Sequence, residues 1–218
     1  RETFGFGVVF SDATLDALRT ADQVSWESIT SSFAHWDAID VHIHGEVITS
    51  TGHGFSGLSR QGLLDILQHR AMALGVELRF ESEVPDVAAL RDADLVLAAD
   101  GVNSGVRTQL AEHFGPEIDL RPNRFVWLGT TFPFWAFTFL FRKNAHGLFR
   151  VHAYRYEPER STFIVETTED AWRAAGLDQA TEDETVAYCE GLFAQELGGH
   201  PLLVAEVVGV DVHEPFQR

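Results

Sequence analysis

Lysine, cysteine, methionine and long apolar runs are what this chain of 218 residues has least of. Its single cysteine, Cys189, excludes an intramolecular disulfide and fits a reducing compartment, so a cytoplasmic setting is expected. A lone cysteine in an acidic, helical stretch reads as a small core residue. No window of about 18 apolar residues occurs, and no membrane-spanning helix is expected. The opening "RETFGFGVVF" has no basic-then-apolar pattern of a secretory signal. Lys143 is the only lysine, beside fifteen arginines, and the net charge of −17 argues against nucleic acid or an anionic membrane as partner.

What is present suits a soluble globular protein: 45% hydrophobic and 22% charged residues. The charge is uneven. Between Arg121 and Arg160 stand seven basic residues against two acidic ones, whereas Thr168 to Glu214 holds eleven acidic residues opposed by Arg173 alone. Twelve of the 25 aromatic residues fall between Phe125 and Phe163. A basic, aromatic-rich middle segment suits a flat anionic ligand, arginines and aromatics on the surface or in the core being the plainer alternative.

Periodicity predicts a strand over 4–10, a helix capped by Ser11, and a second helix over 24–36 with Val24, Ile29, Phe33 and Trp36 inward. A hairpin turning at Gly45-Glu46 follows. Then comes a helix capped by Ser59, with Leu63, Leu64, Leu67, Ala71 and Leu74 on one face and Gly75 as its stop. Strands over 76–84 and 94–100 around a short helix complete a parallel α/β rhythm. After Phe114, "RFVWLGTTF", "FWAFTFLFRK", "GLFRVHAYRY" and "STFIVET" alternate as an antiparallel sheet. Two helices and a strand, "LLVAEVVGV", follow. The fold class is therefore mixed α/β: a partial parallel-sheet nucleotide-binding domain over 1–118, with a hairpin insertion at about 38–52. An antiparallel substrate domain covers 119–218, its last strand returning toward the first domain.

"DLVLAADGVNSGVR" puts a bare carboxylate, Asp100, at the end of an apolar strand, where open parallel sheets bind ligands. Gly101 lets a ligand approach the backbone, Ser104 can cap the next helix, and Arg107 can meet phosphate or the aspartate. The plainer alternative is an aspartate capping its own helix. "GFGVVF" holds Gly5-x-Gly7 but has Phe10 where a dinucleotide finger needs glycine, and reads better as a strand. His42 and His44 alternate near His53, yet no carboxylate or cysteine completes a ligand spacing, and no metal is expected.

These phrases carry a resemblance. Asp-Leu-Val-x-Ala-Ala-Asp-Gly-x-Asn-Ser-x-x-Arg is similar to the "DG" motif of single-component FAD-dependent aromatic hydroxylases, and "LSRQGLLDIL" resembles the stretch whose arginine reaches the flavin. "GHGFSGLSR", "NRFVWLGT", "FRVHAYRY" and "STFIVETTEDAWRAAGL" resemble the branch acting on salicylyl-CoA. The resemblance covers essentially the whole chain. It implies hydroxylation of an aromatic ring with FAD and NAD(P)H, Arg60, Asp100, Gly101, Ser104 and Arg107 being the cofactor residues. His53 and His152 are the candidate catalytic hydrogen-bonding groups, and Arg121, Arg124, Arg155, Tyr154 and Trp127 the candidate substrate contacts. A small aromatic substrate is expected, with a CoA thioester as one form and a free indole or phenolic acid as the alternative; a non-catalytic remnant is the third reading. The region with which the family opens, strand–GxGxxG–helix–strand, and its Gly-Asp flavin motif are not found in these 218 residues, so the chain is expected to be an internal piece of such a hydroxylase.

Overall fold

The computed structural model describes residues 6–204. It separates into two compact units, one formed by residues 1–76 and 122–218 and the other by 77–121. This division differs from the expected boundary at 118/119.

In the larger unit, β1 (Gly7–Ser11) leads into α1 (Asp12–Ala21) and α2 (Gln23–Thr30). Ser11 and Asp22 accept hydrogen bonds from Thr14 N and Ser25 N, so both helices start where their first turn finds an acceptor. The expected helix over 24–36 stops at Thr30. Thr30, Ser31 and Ser32 turn their hydroxyls back onto the carbonyls of Trp26 and Ser28, competing with the helical ladder. Phe33 and Trp36 therefore leave the helix, and Ala34–Trp36 becomes β2. Then follow β3 (Ile39–Ile43), β4 (Glu46–Ser50), β5 (Phe55–Ser59) and α3 (Arg60–Ala73). The β3–β4 turn is His44-Gly45, with φ of 53° and 81°, one residue earlier than expected and of the primed type that suits strand twist. On α3, Leu63 and Ile66 pack inward whereas Leu67 and Leu74 are exposed.

The rest of this unit is β6 (Asn123–Thr130), β7 (Phe137–Lys143), β8 (Leu148–Glu157) and β9 (Arg160–Thr168). The four strands predicted here all form. Two sheets result: β1-β5-β2, and, with β10 (Leu202–Leu203), a seven-stranded sheet β10-β6-β9-β8-β7-β3-β4 in which β3–β7 is the parallel pair. That pair, with β5 crossing β8, joins residues before 76 to those after 122. A Cβ built on Gly57 would stand 2.3 Å from the Arg155 carbonyl, so glycine is what lets β5 lie on β8. One face of the large sheet (Leu128, Leu140, Phe149, Val151, Phe163, Val165) packs on the final helices as the main core. Burying each such side chain contributes about 1.5–3 kcal/mol.

Within the smaller unit, a single 3-10 turn (Val87–Leu90) precedes α4 (Gly105–Gln109) and α5 (Ala111–Phe114). The strands expected over 76–84 and 94–100 make no ladder among the described residues; Leu95 and Leu97 are 74% and 82% exposed. An extended segment becomes a strand only when a neighbour takes up its backbone groups.

The remaining helices, α6 (Glu169–Ala174), α7 (Glu182–Leu192) and α8 (Ala194–Leu197), belong to the larger unit. The helix expected across 182–199 breaks at Phe193, whose ring is fully buried in the core. β10 (Leu202–Leu203) begins the expected last strand on β6, and the remainder of that strand lies outside the described residues.

Candidate active site

Cross-strand partners share a face of a sheet. The face of the large sheet turned away from the helices consequently carries three rows of side chains.

The inner row is closed. Gly129, Thr162 and Tyr154 are cross-strand neighbours, and Phe137 stacks on Tyr154 at 5.6 Å. The small sheet covers them: Gly7 N donates to Thr162 Oγ1 (3.1 Å) and the Tyr154 hydroxyl donates to Gly7 O (2.9 Å). Burial pushes the Tyr154 phenol up from its ordinary pKa. Tyr154, expected to touch substrate, is thus occupied in joining the two sheets.

The middle row is half open. Register sets Trp127 beside Ile164, Ile164 beside His152, His152 beside Phe139, and Phe139 beside Val41. All five are partly buried. The His152 imidazole meets Phe139 edge-on at 5.0 Å. Burial lowers its pKa, Arg150 adding to this and Glu166 opposing it. Arg60, the first residue of α3, holds its guanidinium carbon 5.3 Å from the Trp127 ring centroid, an attractive cation–π placement. The Arg60 Nε is buried with no hydrogen-bond acceptor among the described residues. A buried cationic donor without an acceptor is costly to leave that way.

The outer row is charged at its centre. Phe125, Glu166, Arg150 and Phe141 are successive neighbours, and Arg150 Nη2 donates to Glu166 Oε1 at 2.5 Å. Asn123 Nδ2 donates to the same oxygen at 2.8 Å. Neither Arg150 nor Glu166 was among the residues singled out from sequence. Alternation from His152 and Ile164 was the signal available, since each lies two positions away on its strand.

His53 lies at the far end of a series of ring contacts: Phe55 at 6.5 Å, then Phe137, Phe139 and His152 at 5.4, 5.0 and 5.0 Å. Its Nε2 is 2.6 Å from Ser50 Oγ. The candidate arginines fall elsewhere. Arg124 lies on the helix-side face and pairs with Glu169. Strand alternation puts Arg155 on that same face, stacked 4.3 Å from the exposed Trp135 ring. Arg121 belongs to the smaller unit and pairs with Asp119. The structure brings Arg60, Trp127 and His152 onto one face and leaves Arg124 and Arg155 off it.

In the smaller unit, Asp100 accepts from Ser104 Oγ (2.7 Å) and from Val106 N (3.2 Å). Ser104 Oγ in turn accepts from Arg107 N at 2.9 Å. The Ser104 hydroxyl is the main cause that holds the Asp100 carboxyl below its ordinary range. Arg107 donates to the Val102 carbonyl and does not meet the aspartate. Gly101 has φ of 82°. The turn is a self-contained helix cap.

Among the described residues no helix is long and apolar enough to cross a membrane.

No family model matches the chain. It is 46% identical to salicyloyl-CoA 5-hydroxylase of a Streptomyces species, over 93% of this chain and 41% of that protein. It is 34% identical to protodeoxyviolaceinate monooxygenase of Chromobacterium violaceum, over 75% of this chain and 44% of the relative. It is 35% identical to 3-hydroxy-4-methyl-anthranilyl-[aryl-carrier protein] 5-monooxygenase of Streptosporangium sibiricum, over 76% and 46%. The chain thus spans less than half the length of these curated relatives. Among solved structures, 2-methyl-3-hydroxypyridine-5-carboxylic acid oxygenase superposes with a TM-score of 0.69 at 17% identity, over 92% of this chain and 60% of that one. PqsL of Pseudomonas aeruginosa, a probable FAD-dependent monooxygenase, superposes with a TM-score of 0.60 at 16% identity, over 90% and 61%. These two likenesses speak for the fold alone. In sequence the chain is thus similar to a hydroxylase and two monooxygenases, and in fold to FAD-dependent oxygenases.

Proposed function

We propose that the complete protein hydroxylates an aromatic ring with FAD, NAD(P)H and dioxygen, and that the half-open row of the large sheet is the wall against which the ring lies. The observation that carries this is the row itself: Trp127, Ile164, His152 and Phe139 form a flat, apolar, partly exposed strip with one polar group in it. An aromatic ring gains most by covering such a strip, and His152 supplies a hydrogen bond to a ring hydroxyl. Kept neutral by burial, the imidazole can accept that bond and hold the proton at one ring nitrogen.

The residues of the larger unit fit a flavin. Arg60 has a buried N–H with no acceptor, and a flavin offers carbonyl and phosphate oxygens. When bound, FAD supplies the redox and oxygen-transfer chemistry. The chain's part is to hold the ring, fix its hydroxyl and keep water from the inner row. For the turn at Asp100, Gly101, Ser104 and Arg107 we propose the role of a helix cap within the smaller unit, because its carboxylate is engaged by its own helix. Two of the three relatives are named for an aromatic acyl group borne on CoA or on a carrier protein, and such a carried arene is the proposed substrate class.

The test is to incubate the complete protein with FAD, salicyloyl-CoA, NADH or NADPH and isotopically labelled dioxygen. One labelled oxygen on the ring is the expected product. Reduced flavin turning over with no oxygen entering any aryl acyl group would overturn the reading.

A further inference from the structure

The outer row poses a problem that the hydroxylase reading does not answer: why a salt bridge stands between two half-buried phenylalanines on the substrate wall. Arg150 has five N–H donors in a planar fork. Its Nη2 is bound to Glu166, and among the described residues no other hydrogen bond from this guanidinium is formed. Its side chain is 41% exposed against 20% for Glu166, so the carboxylate is the covered partner and the guanidinium the presented one. Asn123 adds a second donor to Glu166, fixing the carboxylate from the other side. Arg150 lies two residues from His152 on β8, and strand alternation points both side chains to the same face. A ring lying on the middle row consequently brings its substituents to Arg150.

Charge decides which substituent fits. Arg150 and Glu166 together are neutral, and burial keeps His152 from adding a positive charge. A free carboxylate at Arg150 would sit beside the Glu166 carboxylate and be repelled by it, which offsets the pull of the paired arginine. A neutral carbonyl oxygen accepts a charge-assisted hydrogen bond from Arg150 without that repulsion.

Building on the hydroxylase reading, we infer that Arg150, presented by Glu166 and Asn123, anchors the neutral acyl oxygen of a ring lying over Ile164, His152 and Phe139, and so selects aryl thioesters over free aryl acids. Arg150 is the contacting group in this arrangement. Glu166 is a positioning residue that also removes the attraction for anions.

The test uses the 218-residue chain and three probes: the N-acetylcysteamine thioester of salicylic acid, free salicylate, and phenol, with binding followed by amide chemical-shift mapping. The thioester is expected to bind more tightly than salicylate and to shift amides of β8 and β9. Arg150→Met should weaken the thioester by roughly ten- to a hundred-fold, the loss of one charge-assisted hydrogen bond, and leave phenol within about twofold. Glu166→Gln, nearly isosteric, should raise salicylate affinity by about tenfold by uncovering the arginine charge, a change no merely structural role would produce. Amide spectra of both variants verify that the sheet is intact, and Arg150→Lys, which keeps the charge, replaces Arg150→Met if the latter misfolds. If the probes bind this face but neither Arg150 variant discriminates among them, or salicylate binds the wild-type chain better than the thioester, the anchor is wrong and the hydroxylase reading stands. If no probe perturbs β8 or β9, the substrate wall itself is misplaced and both fall.

Discussion

Asp100 and His152 are both titratable groups on which function could rest, and their surroundings separate them. The Asp100 carboxylate receives a hydroxyl and a backbone N–H from the helix it precedes. Ser104, 8% exposed, completes the cap by accepting from Arg107 N. Ser104→Ala is expected to destabilise the chain by about 1 kcal/mol in urea unfolding, the ordinary worth of a cap. Asp100→Ala is expected to lower stability as well and to leave the flavin affinity of the complete protein within about threefold; a large loss of flavin with an unchanged melt would mean the carboxylate grips the cofactor after all. His152 behaves differently. Its folded pKa is depressed mainly by burial, so the folded state binds fewer protons than the unfolded one as pH falls below about 6.5. The stability it contributes is present above that value and is lost as pH drops through the lowered folded pKa. A proton NMR titration should place its midpoint below that of a free histidine, and His152→Phe should remove this component of the acid sensitivity. A midpoint well above neutral pH would mean that the imidazole is charged there, and the proposed acceptor role would fail.

At the scale of elements, the sheets depend on two places where backbone must approach closely. Gly57 on β5 lies against the Arg155 carbonyl and the Trp36 ring. Gly57→Ala is expected to destabilise by about 1–3 kcal/mol or more, because the nearest obstacle is main chain and cannot rotate away; denaturation within 0.5 kcal/mol of wild type would show that β5 can lift off β8 at little cost. Elements with local causes were legible in the sequence. The alternating strands at 123–130, 137–143, 148–157 and 160–168 and the serine caps at 11, 59 and 104 are such cases, since alternation and a capping hydroxyl act over a few residues. What escaped was non-local or competitive. The end of α2 at Thr30 is decided by three hydroxyls that compete for carbonyls, and the parallel pairing of β3 with β7 joins segments about a hundred residues apart. The site was legible to the same degree. Trp127 and His152 share a face because strand register puts both beside Ile164, and Arg60 reaches Trp127 from the start of α3, whereas Arg124 and Arg155 were grouped with them by composition and point to the other face. Arg150 needed only the parity of His152 to be seen.

For the whole molecule the decisive contrast is between its two units. The larger holds a core in which Phe149, Phe163 and Phe193 are fully buried, and its strands pair across the full width of seven. The smaller exposes Leu95, Leu97, Ile118 and Leu120, and its extended segments have no ladder partner among the described residues. Backbone N–H groups without a partner exchange with solvent readily, and those in a central strand do so only on unfolding. Hydrogen exchange on the 218-residue chain should therefore be fast over 77–84 and 94–100 and slowest in β8 and β9. The same contrast bears on cofactor binding. The G-x-G-x-x-G string at Gly52–Gly57 runs into strand β5 and not into a helix N-terminus, so it does not cradle a pyrophosphate, and the turn at Asp100 is satisfied internally. Arg60 is then the proposed cofactor contact, and one guanidinium does not hold a dinucleotide tightly. Flavin fluorescence titration is expected to show weak binding that does not survive desalting, with Arg60→Ala abolishing what there is. Adding FAD should leave the exchange of 94–100 unchanged and slow that of the first turn of α3. A yellow chain with stoichiometric flavin after desalting, or protection spreading over 94–100, would mean instead that the smaller unit supplies a cofactor grip of its own.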